Sequence, residues 1–62
     1  MKILTIVKND GTYRFTDVIK VDGHYIGRLI RDDNTVGKME HRITQEEYES
    51  GTVSETEITL FN

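Results

Sequence analysis

Residues 13–31 read YRFTDVIKVDGHYIGRLIR. Two runs of alternating apolar and polar side chains, rich in aromatic and β-branched residues, meet at Asp22-Gly23. A period of two is the signature of a half-buried strand, and Asp-Gly suits a type I′ reversal that needs positive φ at both central residues. The stretch is therefore a hairpin. Its tight turn sets Ile19 opposite Ile26 and Asp17 opposite Arg28.

Working outward, residues 2–8 (KILTIVK) alternate in the same way. Asn9-Asp10-Gly11-Thr12 then supplies a second reversal, centred on Asp10-Gly11, that sets Ile6 opposite Phe15. On the other side, Asp32-Asp33-Asn34-Thr35 turns the chain into residues 36–43 (VGKMEHRI), with His24 opposite Ile43. The expected strands are 2–8, 13–21, 24–31 and 36–43. In these registers one face gathers Leu4, Ile6, Tyr13, Phe15, Ile19, Val21, Ile26, Ile30, Met39 and Ile43, the expected core. The opposite face mixes Arg14, Thr16, Lys20, Arg31, Glu40 and Arg42 with Ile3, Val7, Val18, Tyr25 and Leu29.

After Ile43 the signals change to those of a helix start. Thr44 can cap, Glu47 three residues on completes a capping box, and Ile43 with Tyr48 has hydrophobic-staple spacing. Ser50-Gly51 offers a left-handed exit, so the helix covers about 45–50 and Tyr48 lids the core. Residues 53–61 (VSETEITLF) alternate again and form a fifth strand. The expected fold is mostly β: one domain over 1–62, a five-stranded antiparallel meander with one short helix before the last strand. This layout is similar to that of SH3-like small barrels, in which the last strand returns to the first; a strongly twisted open sheet is the alternative. The similarity is architectural: the peptide-binding SH3 residue pattern is not present, and its Trp has no counterpart in a chain without Trp.

A chain of 62 residues with 35% hydrophobic and 31% charged side chains supports one modest core. With no cysteine there is neither a disulfide framework nor a thiolate metal site, which points to a reducing compartment, and the expectation is a soluble cytoplasmic chain beginning at Met1. No apolar run approaches the roughly 20 residues of a membrane-spanning helix. No catalytic, cofactor or metal site is expected. His24 and His41 sit on the expected core face without a third ligand, Glu55 and Glu57 read as a polar strand rather than an acid-base pair, and Asp32-Asp33-Asn34 lacks calcium-loop spacing.

Two groups of residues stand out. Asp17 and Arg28, expected to face each other on the apolar side, form a candidate structural ion pair. Arg14, Val18, Lys20, Tyr25, Leu29 and Arg31 make a candidate partner-binding surface on the mixed face, since aromatic, aliphatic and Arg side chains together suit protein interfaces. The expectation is a small non-enzymatic protein-binding module that self-associates, as a homodimer, or engages another protein. A viral or mobile-element accessory factor that inhibits or adapts a larger host protein would fit this economy. The alternative is a β-barrel that binds single-stranded nucleic acid through Arg14, Lys20, Tyr25 and Arg31. The net charge of −3 argues against long-range attraction to phosphates. Six of the eight basic residues lie in 1–31 and eight of the eleven acids in 32–62, so imitation of a nucleic acid's charge by the segment from Asp32 through Glu57 is a variant of the binding reading, with few acids to carry it.

Overall fold

The computed structural model describes residues 1–61. Five strands, β1 (Lys2–Lys8), β2 (Gly11–Val21), β3 (His24–Ile30), β4 (Val36–Thr44) and β5 (Thr52–Glu55), form one antiparallel sheet, with helix α1 (Gln45–Ser50) between β4 and β5. The strand order is β4-β3-β2-β1-β5. A meander whose last strand returns to the first is as the sequence reads; of the two arrangements, the sheet is the open one and is not closed into a barrel.

Of the three turns, Asp22-Gly23 behaves as expected: φ is +36 and +82, and Val21 pairs with His24. The first turn is displaced by one residue. Lys8 pairs with Gly11, so Asn9-Asp10 form the loop and the positive φ, +146, falls on Gly11. Leu4 rather than Ile6 then lies opposite Phe15, a slip of two that leaves every side chain on its expected face. The third turn is held by Asp33, whose Oδ1 accepts from the Thr35 N–H at 3.0 Å and hydroxyl at 2.6 Å, while Asn34 takes φ +67. Arg28 faces Glu40 and Ile30 faces Val36, with the register shifting between them, so His24 meets Thr44 rather than Ile43.

The expectation that fails is the continuous face. Asp17 is inserted as a bulge with φ +55, and the β2–β3 register shifts across it, from Thr16 opposite Arg28 to Ile19 opposite Ile26. One extra residue reverses the side on which all later side chains of β2 project. Phe15 therefore shares a face with Leu29, while Ile19, Val21, Ile26 and Ile30 lie on the other side. Two apolar clusters result. The larger, on the face under α1, contains buried Leu4, Ile6, Phe15 and Ile43, packed by Tyr13, Val18, Tyr25, Leu29 and Tyr48. The smaller, on the far face, contains Ile3, Ile30 and Val36, covered by Leu60. Ile19 and Met39, expected inside, are 55% and 76% exposed.

The helix start is as read. Thr44 Oγ1 accepts from the Glu47 N–H and the Glu47 carboxylate accepts from the Thr44 N–H, a complete capping box. Tyr48 stacks on Tyr25 with ring centroids 3.8 Å apart and planes 9° from parallel. The exit differs from expectation: Gly51 is extended, with φ −83, and is required for closeness rather than handedness. A Cβ there would lie 2.8 Å from Leu4 Cδ1 and 3.0 Å from the Thr5 carbonyl oxygen. The six residues of α1 reach about 9 Å, whereas the edges of a flat five-stranded sheet are roughly 19 Å apart. The sheet must therefore coil for so short a helix to link β4 to β5.

The fifth strand is shorter than the expected 53–61. Its ladder with β1 ends where the Thr56 N–H donates to the Met1 carbonyl, since β1 begins at Lys2. The segment that follows crosses the far face to the start of β4, where Phe61 donates to the Asn34 carbonyl and accepts from the Val36 N–H. This is an isolated parallel bridge, not a further ladder.

The helix-side cluster leaves little slack. At Gly27 an added Cβ would lie 2.9 Å from Val18 Cγ2 and 3.3 Å from Ile43 Cδ1 and Phe15 Cβ. Gly27→Ala should destabilise by about 1–3 kcal/mol through overpacking. A urea melt with an unchanged midpoint would show that the helix-side core is looser than these distances state.

Three carboxylates are held below their ordinary range: Glu47 by its hydrogen bonds from Lys8 and the Thr44 backbone, Glu55 by the Met1 ammonium, and Asp33 by the Thr35 hydroxyl and N–H. Their contribution to stability is present above the unfolded carboxylate pKa, about 4, and is lost as pH falls through the depressed native values. Lys8 is raised, chiefly by Glu47, so its share is present below the unfolded lysine pKa and disappears as pH rises through the native one. Stability should be flat near neutrality and decline on acidification, with Glu47→Gln making the acid limb shallower in denaturation curves recorded across pH.

Candidate interaction surfaces

Antiparallel pairing arranges far-face side chains in rows across the sheet. One row runs Thr16, Arg28, Glu40; the next runs Ile19, Ile26, Arg42; the last runs Val21, His24, Thr44. Ile3 packs with Ile30 and Val36 under Leu60 of the returning C-terminal segment, and neither Ile19 nor Ile26 belongs to that cluster. The second row is therefore a pair of adjacent isoleucines outside that cluster, Ile19 more than half exposed and Ile26 half-buried, with Arg42 beside them. β1 pairs β2 only as far as Phe15, so this row sits on the part of the sheet that projects beyond β1.

Beside the row lies the Asp17–Arg28 pair. The structure brings these two residues together as the sequence suggests, with Arg28 Nη1 3.6 Å from Asp17 Oδ2, but not as directly opposed partners. Arg28 sits across from Thr16, and Asp17 reaches it from the bulge. The Asp17 side chain is 68% exposed, so the pair is a surface contact. Arg28 Nε also donates to the Gly37 carbonyl at 2.8 Å, tying β3 to the shifted part of β4.

The six residues read from the sequence as one partner-binding surface are not brought together. Val18, Tyr25 and Leu29 pack against the helix-side cluster. Lys20, opposite Tyr25, shares their face. Arg14 lies on the far face, donating to the Arg31 carbonyl at 2.7 Å and to Asn34 Oδ1 at 3.0 Å, where it braces the β3–β4 turn. Arg31 stays within that turn, its Nη1 3.3 Å from Thr35 Oγ1. His24 and His41, expected on one face, are on opposite faces, His24 opposite Thr44 and His41 near the Phe15 ring. Among the described residues no group of three metal-ligating side chains is assembled, and no helix is long and apolar enough to cross a membrane.

On the helix side a cleft of about 370 Å³ opens between the Tyr25–Tyr48 stack and the β1–β5 edge, floored by Leu4 and Val18 and rimmed by Lys2, Asp17 and Val53. It is a largely apolar groove with Met1, Lys2 and Asp17 among its lining residues. Comparison with known proteins gives no match to a family model, a curated protein or a solved structure.

Asp17 holds its place against backbone strain, because a side chain at φ +55 is disfavoured by about 1–2 kcal/mol relative to glycine. Asp17→Ala should lower Tm, Asp17→Gly should restore most of the loss, and exposed Glu57→Ala should leave Tm unchanged. Equal loss in the alanine and glycine variants would instead assign the whole effect to the contact with Arg28.

Proposed function

We propose that this protein is a small non-enzymatic binding module that docks on another protein through the far-face row of Ile19, Ile26 and Arg42. The observation that supports this reading is Ile19, 55% exposed and directly opposite the half-buried Ile26, on the face away from α1 and outside the Ile3–Ile30–Val36 cluster. Aliphatic side chains flanked by Arg28, Arg42 and His24 have the composition of an interface centre with a polar rim. A rigid sheet carries them, so little ordering is needed on docking. The same reading admits a role in which the small protein occupies and blocks, or adapts, a larger partner.

The nucleic-acid alternative draws less support. Tyr25, its only aromatic platform, is stacked on Tyr48, and Arg14 is engaged with the β3–β4 turn.

Ile19→Asp places a charge at the row centre, and Val53→Asp does the same on the helix-side cleft. Affinity capture from the source cells should recover a protein partner with the wild type and with Val53→Asp, and lose it with Ile19→Asp at unchanged Tm. Retention by Ile19→Asp overturns the assignment of the surface. Displacement of an oligonucleotide with steep salt dependence and no protein partner overturns the class.

A further inference from the structure

We propose that two copies of this chain associate edge to edge through β4, antiparallel, about a twofold axis at His41. β4 ends the sheet, and among the described residues its outer side is bonded at the two ends, by Phe61 at Val36 and by the Glu47 carboxylate at Thr44. From Lys38 to Ile43 its outer backbone groups face no strand, and such an edge is a template for another.

The side chains of this edge specify which strand fits. Glu40 and Arg42, opposite in sign, lie on the far face, with Lys38 two residues before Glu40. When two identical antiparallel strands meet about a twofold, residues equally distant from the axis lie opposite one another. Matching outward-pointing backbone groups also requires the axis to pass through a residue rather than between two. An axis at Glu40 sets Glu40 on Glu40 and Lys38 on Arg42, all like charges. An axis at Arg42 stacks Arg42 on itself. An axis at Met39 draws in Gly37 and Val36, where the register is shifted and Phe61 is already bonded. The axis at His41 sets Glu40 opposite Arg42 twice, once on each side, and Met39 opposite Ile43. It covers Met39, the most exposed large apolar side chain of β4. The remaining edge, β5, is only four residues long, so the assembly closes at two.

The interface shares Arg42 with the docking row but leaves Ile19 exposed in both copies, so Glu40→Arg, outside that row, is the variant that separates the two surfaces. Sedimentation equilibrium of the full chain should show a monomer–dimer equilibrium. Glu40→Arg and Arg42→Glu should each raise the dimer dissociation constant about tenfold or more, because both cross-strand pairs become like-charged. Mixing the two variants should restore association as a heterodimer, and the double variant should restore the homodimer. The chain contains no cysteine, so His41→Cys gives a second readout. It should form a disulfide-linked dimer on mild oxidation, while Val7→Cys, distant on β1, should not. A monomeric wild type, unaltered association of the charge variants, failure of the mixture to recover, or equal cross-linking at Val7 overturns the proposal. Glu40→Arg and His41→Cys, both outside the Ile19–Ile26–Arg42 row, should leave capture of a partner through Ile19 unchanged.

Discussion

The inserted residue at Asp17 reconciles two alignments that cannot otherwise coexist. The Asp22-Gly23 turn requires Ile19 opposite Ile26, and packing under α1 requires Phe15 opposite Leu29. A regular ladder running from that turn would put Phe15 opposite Ile30 and bring Phe15, Ile19, Ile26 and Ile30 to one side. With the bulge, Phe15 is joined by Val18, Leu29 and Tyr25 around Gly27, which has no side chain to crowd them. The isoleucines are sent to the far face. The larger core, the smaller core and the uncovered row all depend on that single residue.

Two apolar faces then have to be covered by very little chain. A domain of this size hides only about 60% of the surface its unfolded chain exposes. Here α1 shields one face and the segment after β5 shields part of the other. The geometry of that segment decides where cover runs out. It leaves β5 at the Met1 carbonyl and reaches β4 at Val36, a path over Ile3 and Ile30 rather than over Ile19 and Ile26. The exposure of Ile19 beside half-buried Ile26 is a consequence of topology, and an aliphatic surface of this kind marks an interaction site.

Local signals in the chain translate into structure where one short segment determines the outcome. Asp22-Gly23 makes its turn because both residues must take positive φ, and Thr44 with Glu47 caps α1 because both partners of the box lie within one helical turn. The Asn9-Asp10-Gly11 reversal is legible as a turn but not in its exact frame, since Gly11 serves as well just after the loop as within it. The bulge is harder to read. Its trace is the polar pair Thr16-Asp17 followed by the apolar pair Val18-Ile19, a break in alternation that two regular frames can each absorb. The choice between them is made by contacts with β1 and α1, distant in sequence. The contact of Asp17 with Arg28 is legible because it survives either frame, whereas the surface built from Arg14, Val18, Tyr25 and Leu29 is not, because it assumes one frame throughout.

That Asp rather than Gly occupies the left-handed position couples backbone strain to a surface charge. Glycine would meet the conformational requirement alone, and aspartate is among the few side chains that tolerate it. Its carboxylate reaches Arg28, whose guanidinium also holds the Gly37 carbonyl of the shifted part of β4. The irregularity in β2 and the one between β3 and β4 thus meet at one arginine, with the Ile19–Ile26 row on one side and the outer edge of β4 beyond. A chain too small to bury every apolar residue can still hold the exposed ones in fixed positions, provided its irregular points are tied to each other. Here that tie is made by side chains at the rim of the surface it keeps in place.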